Sequence, residues 1–423
     1  MLLSKKNSSS TIRWSSVFQL VISLLGIFIG WSAALTFGLL GFFQSFAPAG
    51  VAADRLSMLL LAAGAFLCGL VLLPPAIYAL FDLLDRPLTL PPEWNRLVHF
   101  LTHPILPVLV FPVVLLFGQI VSRISGLSWL LLPPLHIFAV GLPVWFFSIS
   151  GRRGLPEGSP KRAWGVFAIG LTLGPILILL LELFALVVVF ILGVVYISSQ
   201  PALSRMILQL SQQLNSGNAN PEDLLRTLRP LLAQPIFIIS VFAFTSVIVP
   251  LIEEAIKPIG VWFLYGRELT AVEGFTAGLL SGTGYALFEN VGLTTFSGSD
   301  WTVTVAVRSL TCLLHILTAG LTGWGLVQAW RYHRYLRLLL VYLAAVLIHG
   351  LWNGLALVPA ASSLAVSGLP AGLSADRLSV IAYAGMFLLG LLLFILLLGL
   401  NRSFKRLAAP EPRSENGANL TTD

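Results

Sequence analysis

The chain has 423 residues, 57% of them hydrophobic and only 10% charged, with a formal charge of +7 and a mean hydropathy of +0.91. Soluble domains carry about 25% charged residues, so a water-soluble globular fold is excluded and lipid is the expected solvent. Lys and Arg sit in short segments between apolar runs rather than on one basic face, which makes them topology determinants, and no nucleic-acid partner is expected.

Lys5, Lys6 and Arg13 precede an apolar run that continues to about Phe43. That is longer than the roughly 7–15 residues of a signal-peptide core, so a retained first span is predicted. Crossing a bilayer takes roughly 20 apolar residues. Spans are predicted over roughly 17–44, 56–82, 98–122, 128–149, 164–198, 235–264, 270–295, 302–329, 336–357 and 378–400. The fold class is thus an all-α integral membrane protein with about ten transmembrane helices. Cys68 and Cys312 fall inside apolar stretches and indicate no disulfide framework.

The basic residues Arg86 and Arg96, Arg152, Arg153, Lys161 and Arg162, Arg331, Arg334 and Arg337, and Arg402, Lys405 and Arg406 all follow an even number of crossings. Because basic loops stay inside, both termini are expected in the cytoplasm. The expected organisation is a cytoplasmic segment 1–16, five membrane helices within 17–198, an extracytoplasmic amphipathic insertion 199–234, a membrane core 235–357, an outer loop and last span 358–400, and a disordered cytoplasmic tail 401–423. In the insertion, Asn220, Pro221, Glu222 and Asp223 read as a helix start, with Leu224, Leu225 and Leu228 on one face and Pro230 at its end. It is read as a surface linker, with a substrate gate as the sharper alternative.

Charged groups at mid-membrane cost at least about 2.5–3.5 kcal/mol each on insertion scales, which makes them functional candidates. The sixth predicted span holds Glu253, Glu254 and Lys257, the seventh Glu289, the eighth Arg308 and His315, and the ninth His349 and Asn353. On a helix, Lys257 lies one turn from both Glu253 and Glu254, so it is expected to neutralise one carboxylate and leave the other free as a general base. Pro250 is expected to kink the helix just before the pair. Tyr285 and Glu289 share a face, as do His349 and Asn353, and Gly282 and Gly284 permit close helix approach. Glu, His and Asn together supply a base for water and donors for an oxyanion. The same groups could instead hold zinc, although no HExxH pair is present; Glu289, His315 and His349 are then the expected ligands.

The order Glu253-Glu254-x-x-Lys257, an aromatic Tyr285 four residues before Glu289-Asn290, an isolated membrane His315, and His349-Gly-Leu-Trp-Asn353 resembles the motif series of the PrsW family of membrane proteases. That family is related to the glutamate-dependent CAAX-processing proteases. The resemblance covers about residues 240–355, and Tyr285 stands where the family more often has Phe. It implies an intramembrane endopeptidase in the cell membrane, in which Glu253 or Glu254 activates water, Glu289, His315 and His349 complete the site, and Asn353 assists. Lys257, Tyr285, Asn290 and Arg308 take supporting places. The implied substrate is a membrane-anchored protein, such as an anti-sigma factor. The family is called a metalloprotease, whereas its CAAX-processing relatives act through Glu and His alone.

Blander readings stand beside this one. The Glu253, Glu254 and Lys257 group by itself is a structural ion-pair cluster, a lone membrane His is a helix-to-helix hydrogen bond, and Arg308 is a partner for Glu289 or a carbonyl. Glu182, a lone acid in the fifth span, is read as a partner for His136, and Trp301, Trp324, Trp330 and Trp352 as interfacial anchors or packing. The rival from another class is an ion- or proton-coupled transporter, which should show two related halves. No internal repeat is visible.

Overall fold

The computed structural model describes residues 13–44, 55–89, 91–101, 103–215, 228–230, 232–293, 301–364 and 374–408, and the regular elements among them are all helical. In chain order these are α1 (Trp14–Phe43), α2 (Arg55–Val71), α3 (Leu73–Leu83), α4 (Pro92–Leu101), α5 (Ile105–Ser122), α6 (Ser125–Arg152), α7 (Pro160–Ser198) and α8 (Pro201–Asn215). There follow α9 (Pro235–Ala243), a π-helical turn (Phe244–Ile248), α10 (Val249–Ile256), α11 (Ile259–Trp262), α12 (Ala271–Leu293), α13 (Trp301–Tyr332), α14 (Tyr335–Leu364) and α15 (Ala375–Ala408). The expected helix start at Asn220–Asp223 and the tail beyond Ala408 lie outside the described residues.

Among the described residues, nine helical segments are long and apolar enough to cross a membrane: α1, α2 with α3, α5, α6, α7, α9 through α11, α13, α14 and α15. The protein is a multi-pass integral membrane protein. The expected span near 270–295 exists as the 23-residue α12, about 34 Å long, but it is not apolar enough to join the nine. Almost its whole length from Val272 to Val291 is buried among other helices. A helix enclosed by protein needs no apolar surface for lipid. The third expected span also starts later, at Ile105, because Pro104 ends the preceding chain and α4 forms a separate helix. In the insertion, the sequence reading overlooked α8, which buries none of its residues.

Two faces of α12 are glycine-lined. Gly274, Gly278 and Gly282 recur every fourth residue, and a Cβ on each would run into the backbone of Gly323, Ala319 and His315 in α13. On the other face Gly284 meets the backbone of Phe167 and Leu171 in α7, and Gly170 of α7 meets the Ser281 carbonyl. Without a hydrophobic force between helices in lipid, such backbone contact supplies van der Waals attraction.

One end of the bundle gathers polar helix termini. The Arg13 guanidinium donates to the Asp82 carbonyl at 2.6 Å, and Lys161 Nζ lies 2.9 Å from Asp82 Oδ2. Arg162 pairs with Glu273 at 2.5 Å, and Asn401 donates to the Gly151 carbonyl at 2.9 Å. The ends of α1, α3, α6, α7, α12 and α15 therefore meet there. Replacing Gly278 with Leu should lower the melting temperature of the detergent-solubilised protein by several degrees or prevent folding, since overpacking costs at least about 1–3 kcal/mol. Gly193→Leu, where a Cβ meets nothing within 4 Å, should leave the melting temperature unchanged.

Candidate active site

The local build of the site begins with a broken helix. At the π turn Val249 N–H donates to the Phe244 carbonyl five residues back, and Pro250, which has no N–H, follows directly. Irregular backbone at this depth needs outside partners. Asn353 Nδ2 of α14 donates to the Thr245 carbonyl at 2.9 Å, Gly350 packs against the Ser246 carbonyl, and Tyr342 Oη donates to the Leu251 carbonyl at 2.7 Å. The expected distortion at Pro250 is thus a π turn clamped by α14. Helix α10 ends at a second proline, Pro258, where the Lys257 carbonyl accepts from Ser281 Oγ at 2.6 Å and Ser281 Oγ accepts from Gly260 N–H at 3.1 Å.

Between these breaks, α10 presents Glu253 and Glu254, with Lys257 just past its end, to a buried cluster. Lys257 Nζ, wholly enclosed, lies 2.9 Å from Glu253 Oε2, 2.7 Å from Glu254 Oε1, 2.6 Å from His315 Nδ1 and 3.3 Å from His349 Nδ1. It also stands 5.1 Å from the centre of the Tyr285 ring, within cation–π range. His349 Nδ1 is 2.8 Å from Glu254 Oε1, and the Tyr285 and His349 rings both meet the His315 ring edge to face. Lys257 was expected to neutralise one carboxylate; it bridges both. Glu254 Oε2 is nonetheless buried with no hydrogen-bond partner among the described residues.

A supporting layer stands behind His315. Glu289 Oε2 lies against His315 Nε2, Arg308 pairs with Glu289 Oε1 at 3.0 Å, and Arg308 Nε donates to Asn290 Oδ1 at 3.2 Å. Asn290 in turn contacts the buried thiol of Cys312. His315 thus turns Nδ1 to the ammonium and Nε2 to Glu289.

Glu253, Glu254, Lys257, Tyr285, Glu289, His315 and His349 thus converge, Arg308 and Asn290 back them, and Asn353 turns its amide to the π turn instead. The sequence reading misplaced Glu182. It interacts with Glu253 and Glu289, while His136 takes the Trp301 indole N–H at 3.2 Å. The available signal was the expense of a lone carboxyl in the apolar stretch of α7 beyond Arg162. Trp301 and Trp352 are buried in the bundle and serve packing rather than an interface.

Glu253, His315 and His349 each bring a ligand-type atom within 4.8 Å of the other two, all three buried. Two imidazoles and a carboxylate are the donor set of a zinc site that keeps a fourth position open, so the residues fit such an ion in kind. The expected ligand Glu289 is replaced in this set by Glu253. The reason is geometric: Glu289 sits on the far nitrogen of His315, where a carboxylate orients an imidazole.

Buried acids, imidazoles and an ammonium enclosed by membrane helices define an intramembrane acid–base enzyme. A family model described as PrsW family intramembrane metalloprotease matches residues 159–387, more than half of the chain, and the protein belongs to that family. The match starts well before the expected 240 and includes α7 with Glu182. Family membership decides for protease over the transporter alternative. No curated protein and no solved structure matches the chain.

If Asn353 holds the π turn, Asn353→Ala should cost about 1–3 kcal/mol of stability by leaving a buried carbonyl unpaired. Melting of the variant in detergent measures this, and an unchanged melting temperature would count against that role.

Proposed function

We propose that the protein hydrolyses a peptide bond in or beside a membrane segment of a membrane-anchored protein substrate, a single-span regulator of the anti-sigma type being the kind the family resemblance implies. The observation that carries the reading is the convergence of Glu253, Glu254, His315 and His349, from three helical segments, around one enclosed position.

The assignment of roles follows the contacts. Glu254 is held through Oε1 by Lys257 and His349, and a buried carboxylate oxygen without a partner calls for a polar ligand, here the attacking water, at Oε2. Glu254 takes the proton as the water oxygen adds to the scissile carbonyl carbon. His349 serves as donor to the developing oxyanion through Nε2, the ring nitrogen that Glu254 does not hold. Return of the proton to the amide nitrogen releases the amine as the C–N bond breaks. Glu289 and Arg308 hold His315, and Tyr285 with Asn290 closes the pocket. Glu253, His315 and His349 would hold a zinc ion, which when bound polarises a carbonyl and acidifies water.

Substrate access is assigned to the side of Glu182 and Glu289, the cluster's partly exposed edge, beside the half of α7 whose Leu180, Leu183 and Phe184 are exposed. The plasma membrane is the proposed location. Both termini are assigned to the cytoplasm on the strength of the basic helix ends gathered at one end of the bundle.

Glu254→Gln should reduce cleavage of single-span test substrates, by purified protein in lipid, about 10²–10⁴-fold, the usual worth of a general base. Cleavage that survives both this change and Glu253→Gln at wild-type rates would remove the pair from the chemistry.

A further inference from the structure

The residues that could bind a metal already surround a cation. Glu253 Oε2, His315 Nδ1 and His349 Nδ1 stand 2.9, 2.6 and 3.3 Å from Lys257 Nζ, and Glu254 Oε1 completes the ring at 2.7 Å. Glu253, His315 and His349 are also the residues of the metal-competent set. Zinc bonds to such donors at about 2.0–2.2 Å. An ion bound by Glu253 Oε2 and His315 Nδ1 would need the lone pairs that Nζ now faces, so ion and ammonium compete for the same donor atoms.

Charge and orientation point the same way. Three carboxylates, Glu253, Glu254 and Glu289, face the two cations Lys257 and Arg308 across this cluster. Exchanging an ammonium for a dication reduces the negative excess that burial penalises. His315 turns Nδ1 to the centre and Nε2 to Glu289, as a metal-binding imidazole does. Lys257 is tethered one turn from both glutamates, so it is always at hand to refill the position.

We propose that the Lys257 ammonium and a divalent metal ion are alternative occupants of one position, Lys257 being the internal cation that holds the metal-free site together and raises the concentration at which metal loads. The proposal rests on the donor set assigned above and not on proteolysis. Its test reads binding and melting, so its failure is separable from failure of the protease reading.

The experiment compares full-length wild type with Lys257→Met, Lys257→Gln and Lys257→Arg in detergent, titrated with Zn²⁺ for melting and with Co²⁺ for visible absorption. Metal-free Lys257→Met and Lys257→Gln should melt below wild type, and Zn²⁺ should raise their melting temperatures more than that of wild type. Their Co²⁺ affinity should be at least about tenfold higher, a difference of about 1.4 kcal/mol, with the intense absorption of a four-coordinate site. Lys257→Arg should show no such gain, and adding His315→Ala to Lys257→Gln should abolish it. Wild type gives a readout that needs no variant. Saturating zinc should increase labelling of the Lys257 amine by an amine-reactive reagent, read by peptide mass spectrometry. Equal Co²⁺ affinity in wild type and both neutral variants, or stoichiometric zinc binding in wild type with Lys257 labelling unchanged, would overturn the proposal.

Discussion

An ammonium group with no solvent exposure, in a bundle made for lipid, is the constraint around which the molecule is arranged. Removing a charge from water costs several kcal/mol even after relaxation, and only close, well-placed partners offset it. For Lys257 those partners come from different helices: two carboxylates from α10, His315 from α13, His349 from α14 and the Tyr285 ring from α12. Each must hold its axial position and rotation to within a fraction of an ångström. The rest of the core can be understood as the means of fixing that register.

Glycine supplies one part of it. With Gly274, Gly278 and Gly282 on one face and Gly284 on the other, α12 lies at backbone contact with both α13 and α7, so neither neighbour can shift along it without collision. The broken sixth span supplies another. A π turn before Pro250 and the stop at Pro258 set the direction of the short α10, and α14 and α12 satisfy the freed carbonyls through Asn353 and Ser281. Residues that resemble catalytic machinery in the motif, Asn353 above all, thereby act on the backbone that leads into Glu253 and Glu254.

Burial is graded across the cluster. Lys257 and Glu254 are fully enclosed, whereas Glu289 keeps about a fifth of its side chain exposed and Glu182 lies on a helix whose distal half faces outward. The enclosed side suits strong, screened-off electrostatics. Arg308 and Asn290, between the two, tie the edge to the core through Glu289 and His315.

The sequence by itself determined the solvent, the all-helical class and the ionisable residues of four consecutive spans, because a membrane leaves each apolar run and each costly charge readable one segment at a time. It also placed Glu253 and Glu254 within a turn of Lys257, since helical periodicity is a local property. Only the tertiary structure decided that Lys257 bridges both carboxylates, that Glu253 rather than Glu289 joins the two imidazoles, and that Glu182 from α7 belongs to the group. It likewise turned Asn353 to the π turn and enclosed α12 among other helices, so that it faces protein rather than lipid. These outcomes depend on helix rotation and separation, which are set by contacts between residues distant in the chain and leave no periodic mark within any one segment.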